Sequence, residues 1–321
     1  MSDFPETLPE RRADGLFFLA DPHVAGTPPG QRLEGYAEQV LDKLRAGLDY
    51  ALEHNLEPVI LGDLFHWPRE NPNQILVELM RLFGPRRPWV LVGNHDKYQA
   101  RLTEDCSIAV LRQAGAVRLM DAEGPWFRLL AGGKRVLVGA SPDGFPLPRA
   151  VERGPDDDEV IWLAHHNLSF PEFPEKQVKL REIPGVDWVI NGHIHRPQPT
   201  LAAGATRYAN PGNITRLTFT RRTRERVPAG AVWRPGAEDI QRVELPHLPF
   251  EDVFPDQELP PETEEESGRT RADFLDGLER LAWRRTAEGA GLRDFLTDYL
   301  DPEEPETGLI WELYTEVTRH D

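Results

Sequence analysis

Cysteine is nearly absent: Cys106 is the only one in 321 residues. No internal disulfide can form, which fits a reducing compartment and sets a cytoplasmic expectation. Long apolar runs are missing too. No stretch approaches the roughly 20 apolar residues of a membrane span. The opening MSDFPETLPERRADG has no apolar segment, so neither a signal peptide nor a membrane anchor is expected there. There is no internal repeat. Positive charge is scarce, with 37 Lys and Arg against 54 Asp and Glu, a net of −17. That deficit is local. Glu251 to Asp321 holds 21 acidic and 7 basic side chains, leaving a net of −3 for the first 250 residues. The body is nearly neutral, so the total does not exclude an anionic substrate.

What is present is a globular composition, 39% apolar and 28% charged, long enough to bury a large core. Short β-rich segments recur: LFFLA (16–20), PVILG (58–62), WVLVG (89–93), RVLVGA (135–140), VIWLA (160–164) and DWVIN (187–191). They are apolar on both faces, as strands between layers should be. Residues 35–54 place Tyr36, Val40, Leu41, Leu44, Leu48 and Leu52 on one helical face, and 73–83 do the same with Ile75, Leu76, Leu79, Met80 and Phe83. Segments 117–140, 206–220 and 229–245 read as meandering β-structure. The pattern predicts a layered α/β domain over 1–250. An acidic, proline-rich linker then opens a helical extension over 251–321, with apolar faces at Phe274–Ala282 and Leu309–Val317. Those helices suit packing, a homodimer contact or docking of a partner.

Five strand-like segments end in polar chemistry. LFFLA runs into Asp21-Pro22-His23, and PVILG into Asp63-Leu64-Phe65-His66. WVLVG runs into Asn94-His95-Asp96, VIWLA into His165-His166, and DWVIN into Gly192-His193-Ile194-His195. One such ending is an ordinary turn or a satisfied core histidine. Five at carboxyl ends of strands, where α/β sheets place ligand sites, point to a shared site. Carboxylates, imidazoles and an amide suit divalent ions of intermediate hardness. Asp21, His23, Asp63, Asn94, His165, His193 and His195 are too many for one ion. Two ions sharing a carboxylate accommodate them, the arrangement that acts on phosphate esters.

The ordered set DxH, GDxxx, GNHD, a strand-end His and GHxH, from about Gly15 to Phe219, resembles the calcineurin-like metallophosphoesterase superfamily. The resemblance implies an αββα sandwich and two divalent ions, manganese first, with iron or zinc as alternatives. It implies Asp21, His23, Asp63 and His195 on one ion, and Asp63, Asn94, His165 and His193 on the other. His166 replaces His165 if the strand runs one residue longer. GDLFHWPRENP is similar to the GDLFH segment of the SbcD/Mre DNA-repair nucleases, where the histidine at the His66 position works beside that at His95. YANPGNITRLTF is similar to the Pro-Gly-Ser segment of those nucleases, with Asn213 in place of serine. The DPH motif lacks their following Leu-Gly, reading Val24-Ala25-Gly26. His95 is left without an ion to bind and suits general-acid work; Asp96 suits bracing. Through this resemblance DNA is the expected substrate and an SMC-like ATPase a possible partner. A phosphatase or phosphodiesterase for small nucleotides or phosphoproteins is the rival reading, and a non-catalytic scaffold a third. RLTFTRRTRER, with Arg216, Arg221, Arg222, Arg224 and Arg226, is either a phosphate-backbone patch or the solvated face of a β-hairpin.

Overall fold

A computed structural model describes residues 8–98, 100–171 and 178–259. The chain divides into two compact units, Met1–Gln257 and Glu258–Asp321. The expected C-terminal helices lie outside the described residues.

The first half of the first unit contains β1 (Glu10–Arg12), β2 (Gly15–Leu19), α1 (Tyr36–Glu53), β3 (Leu56–Ile60), α2 (Asn73–Phe83), β4 (Trp89–Leu91), α3 (Ser107–Gln113) and β5 (Arg118–Met120). Then come β6 (Gly124–Ala131), β7 (Lys134–Ser141), β8 (Glu159–Ala164), β9 (Trp188–Asn191), β10 (Gln198–Ala203) and β11 (Thr206–Asn210). The unit ends with α4 (Arg221–Glu225), β12 (Ala229–Trp233), β13 (Gln241–Glu244) and α5 (Phe250–Val253).

Two mixed sheets result, one ordered β13-β12-β2-β3-β4-β5 and one β1-β6-β7-β8-β9-β11-β10. Strands β2 to β5 run parallel, as do β7, β8, β9 and β11. Alternation within GLFFL shows why β2 is apolar throughout. Leu16 and Phe18 join the core between the sheets, with Val59, Leu91, Phe127, Val138, Ile161 and Ile190. Phe17 and Leu19 face the other way, into a core closed by α1 and α2.

The α1 face is as expected except at Leu52, which is 67% exposed although Ala51 beside it is buried: the buried stripe runs through Val40, Leu44, Leu48 and Ala51, and Leu52 falls to one side of it. Helix α3, SIAVLRQ, is too short for its period to be read from sequence. The outer face of the seven-stranded sheet has Trp162, Val189 and Tyr208, packed against Leu147, Phe170 and Ile183. These covering residues sit on the connections 142–158 and 165–187. Among the described residues those connections hold no helix, so the fourth layer is irregular chain. Pro142, Pro146, Pro148 and Pro155 break any helical run in the first of them.

Candidate metal centre

The parallel strands β2, β3 and β4 of one sheet and β8 and β9 of the other end at a common place, and the residues just past them meet there. Backbone pairing continues beyond β2 and β3: His23 N–H donates to Asp63 O at 2.9 Å and His66 N–H to Val24 O at 2.9 Å. That keeps His23, Asp63 and His66 in register. The sheets are tied across the gap by His193 N–H donating to Asp21 Oδ1 at 2.8 Å. His165 Nδ1 lies 2.9 Å from the Leu61 carbonyl, to which it donates.

Four of the described residues that hold a left-handed backbone without being glycine are Asp21 (φ 46°), His23 (φ 52°), Asp63 (φ 48°) and His193 (φ 70°). Each such conformation costs about 1–3 kcal/mol. Neighbouring side chains fix these residues in place, and the strain falls where the polar groups converge.

Ligand-type atoms sort into groups within 4.8 Å: Asp21, His23, Asp63 and His195, and Asp63, His165 and His193. Asp63 belongs to both. Its Oδ2 stands 3.7 Å from His23 Nε2 and 3.3 Å from His165 Nε2. Asn94 Oδ1 completes the second group, 3.1 Å from His165 Nε2 and 3.0 Å from His193 Nδ1. His23 and His195 bring their Nε2 atoms to 3.0 Å of one another. All seven candidate ligands thus converge. Strand β8 stops at Ala164, so His165 enters the cluster, whereas His166 turns away with Nε2 2.7 Å from Phe145 O.

The charge state suits cations. Burial pulls the imidazoles of His23, His193 and His195 down, His193 to about 4 and His195 to about 3, keeping them neutral and able to offer a lone pair. Burial also opposes the charges of Asp63 and His165, but their mutual contact outweighs it. Asp63, facing His165 and His95, falls well below the carboxylate range, and His165 rises to about 10. Burial, with the Asp63 charge adding to it and His165 opposing, raises Asp21 to about 8. Asp21 Oδ2 is buried without a hydrogen-bond partner. An orphaned carboxyl oxygen beside three neutral imidazoles fits two divalent ions sharing Asp63, which would bind as Asp21 and His165 give up their protons.

A third group brings His23, His66 and His95 together. His66 and His95 stack at 5.4 Å between ring centroids, and His95 meets His23 edge-on at 4.8 Å. His95 Nδ1 lies 2.8 Å from His66 O, and a carbonyl there makes Nδ1 the donor. Asp96 is a loop brace: Oδ1 accepts from Phe65 N–H and Oδ2 from Gly93 N–H. Gly93 has no left-handed φ; its smallness matters because an added Cβ would stand 2.1 Å from Asp63 Oδ1.

Sequence reasoning missed the supports. Asn191 ties His166 O and N–H, and Tyr36 donates its hydroxyl to His23 O at 2.7 Å. Asn210 Nδ2 holds the Ile194 and Arg196 carbonyls, and Thr215 Oγ1 donates to Pro22 O. Only Asn191, a buried amide ending a strand before the GHIH motif, left a readable signal.

The arginine segment differs from the expected hairpin, and Arg216 from the expected surface contact. It is not a hairpin: residues 211–220 are irregular and 221–225 form α4. Arg216 is not an exposed contact. It is buried, donating to Arg226 O and Leu248 O. Arg226 donates to the Asn213 and Thr215 carbonyls, and Arg224 pairs with Glu251 at 2.6 Å. Arg221 and Arg222 are exposed on α4.

Two ion-binding groups joined by one carboxylate, on converging strand ends of stacked sheets, define a dimetal hydrolase class of site. Residues 16–197 match the calcineurin-like phosphoesterase family. That is more than half the chain and includes all seven ligand candidates. The chain belongs to this family and is a metal-dependent phosphoesterase. It is also similar to the crystal structure of a dimetal phosphatase from Danio rerio, with 13% identity over 73% of this chain and 99% of that one, at a TM-score of 0.43. No curated protein matches the sequence. Among the described residues, no helix is long and apolar enough to cross a membrane.

Proposed function

We propose that this phosphoesterase hydrolyses phosphodiesters and that DNA is its substrate, as in the SbcD/Mre nucleases its GDLFH segment resembles. The observation that carries this reading is the second imidazole, His66, stacked on His95 at the edge of the ion cluster. Asp21, His23, Asp63 and His195 would hold one divalent ion, and Asp63, Asn94, His165 and His193 the other. Such ions polarise a phosphoryl oxygen and supply hydroxide near neutral pH. His95 is proposed to protonate the leaving oxygen from Nε2, since Nδ1 is engaged with the His66 carbonyl. A diester releases an alkoxide, which needs that proton. Manganese is the proposed ion and the cytoplasm the proposed setting.

His95→Ala is expected to keep its ion content and lose about 10²–10⁴-fold in DNA hydrolysis. His66→Ala should impair DNA hydrolysis more than that of bis-p-nitrophenyl phosphate, whose activated leaving group needs little protonation. Unchanged DNA hydrolysis in His95→Ala would remove the assigned role. The second reading, small nucleotides or phosphoproteins, is favoured by the burial of Arg216 and the pairing of Arg224 with Glu251, which shrink the basic patch. Rates on single- and double-stranded DNA, bis-p-nitrophenyl phosphate and nucleotides, with manganese added, separate the two. Turnover of nucleotides alone would select the second.

A further inference from the structure

Around the first helix, outside the ion cluster, a small, half-open surface pocket is lined by Arg32, Gln39, Lys43, Arg216, His247 and Leu248. Arg32, Lys43 and Arg216 are 7%, 4% and 6% exposed. Arg226 is close enough for its charge to act on both Lys43 and Arg216. Buried cations are normally paired. Among the described residues, none of these four has a carboxylate within ion-pairing distance. Glu251, whose charge reaches Arg216, is exposed and held by Arg224.

Donors outnumber acceptors. Arg32 gives Nη1 to Arg216 O at 2.9 Å and Nη2 to Gln39 Oε1 at 2.5 Å, and its buried Nε has no partner. Lys43 has a single acceptor, Gln39 O, at 3.3 Å for three N–H bonds. The rings of Tyr36 and Phe254 lie 5.1 and 5.2 Å from the Arg32 guanidinium. They offset some charge and accept no strong hydrogen bond. Burial, with Arg32, Arg216 and Arg226 alongside, pulls the Lys43 ammonium down to about 8.

We propose that this pocket is a second anion site, taking a phosphate group on Lys43 and the Arg32 guanidinium. A tetrahedral oxyanion supplies both the missing counter-charge and the missing acceptors. The cations exclude a metal ion, and an apolar occupant would leave them unpaired. The pocket is also joined to the ion cluster through hydrogen bonds. Arg216 clasps Arg226 O, and Arg226 holds the Asn213 and Thr215 carbonyls. Asn213 N–H donates to His195 O, and Thr215 Oγ1 to Pro22 O.

Full-length protein stripped of metal with EDTA tests this by calorimetric titration and thermal unfolding, with inorganic phosphate against chloride at matched ionic strength. Saturable binding of one phosphate and a Tm that rises with its concentration are expected. Lys43→Met should raise Tm in chloride, by relieving an unpaired buried cation, and weaken phosphate binding by about tenfold or more. Lys43→Gln gives the same loss of binding should the first variant not fold. His195→Ala, in the ion cluster, should bind phosphate as wild type does. A parallel arm with adenosine 5′-monophosphate separates the sources: equal binding assigns a phosphate monoester, and binding of phosphate alone assigns the free anion. No saturable binding, undiminished binding in both Lys43 variants, or its loss in His195→Ala would overturn the proposal.

Discussion

Asp63 and His165 form the charged pair at the centre of the ion cluster, and their protons decide how ions bind. With His165 raised to about 10 and Asp21 to about 8, the ion-free site holds a proton on each at pH 7. Asp63 is already ionised, and His23, His193 and His195 are already neutral, so they contribute none. A ligating nitrogen and a ligating carboxylate must both be deprotonated. Ion binding at pH 7 is therefore expected to release about two protons, and affinity to rise up to about 100-fold per pH unit. The slope should ease as pH passes the Asp21 value of about 8 and vanish beyond the His165 value of about 10. Manganese titrations in buffers of different protonation enthalpy count the protons directly. Zero release would mean that neither group holds its proton.

The turns after the strands are built by close approach. At Gly62 an added Cβ would stand 2.2 Å from His165 Nδ1, and at Gly192 2.0 Å from Leu61 O. At Gly93 it would stand 2.1 Å from the Asp63 carboxylate. Each glycine leaves the volume that a functional group or its support from another strand occupies. Gly93→Ala should therefore cost about 1–3 kcal/mol and lower ion content at both sites, because Asp63 serves both groups. Gly115→Ala is the control. It sits at φ 66° with nothing within 4 Å, so it should lose stability through backbone strain and keep its ions. Urea unfolding and elemental analysis read the two effects. Full ion content in Gly93→Ala would show that Asp63 tolerates displacement.

On the scale of the molecule, two sheets meet at a site that gathers three buried carboxylates, Asp21, Asp63 and Asp96. Divalent ions binding there should stabilise the folded chain by mass action, about 4 kcal/mol at a thousandfold excess over Kd. Chelation is expected to lower Tm by roughly 10 °C and ion addition to restore it. An unchanged Tm would mean the ions bind too weakly to matter. The proposed affinity for DNA belongs to this scale as well, because the whole chain is at −17 while residues 1–250 are at −3. Arg221→Glu, Arg222→Glu and Arg224→Glu together should weaken DNA binding. Each lost phosphate contact lowers the salt slope by about 0.9. Hydrolysis of a small phosphodiester should stay unchanged. An unaltered slope would leave α4 an ordinary solvated helix.

The sequence by itself determined the six inner strands β2, β3, β4, β7, β8 and β9, the two long helices and the seven residues that converge, but not β1 or β10, and the β-structure expected over 206–220 ends at Asn210. Buried strands must be apolar on both faces, and polar residues at their ends then stand out. The choice of His165 over His166 followed from where β8 stops. Leu52 could not be placed from its period, because an apolar residue at the margin of a helical stripe is covered only where a neighbouring element reaches it, and in the same turn Ala51 is the one buried. Arg216 and Arg226 read as surface charge, yet folding turns them onto carbonyls from segments far along the chain. The roles of Tyr36, Asn210 and Thr215 were likewise decided only in the tertiary structure. A single hydroxyl or amide carries no periodicity, and its partner is fixed by packing between segments distant in sequence.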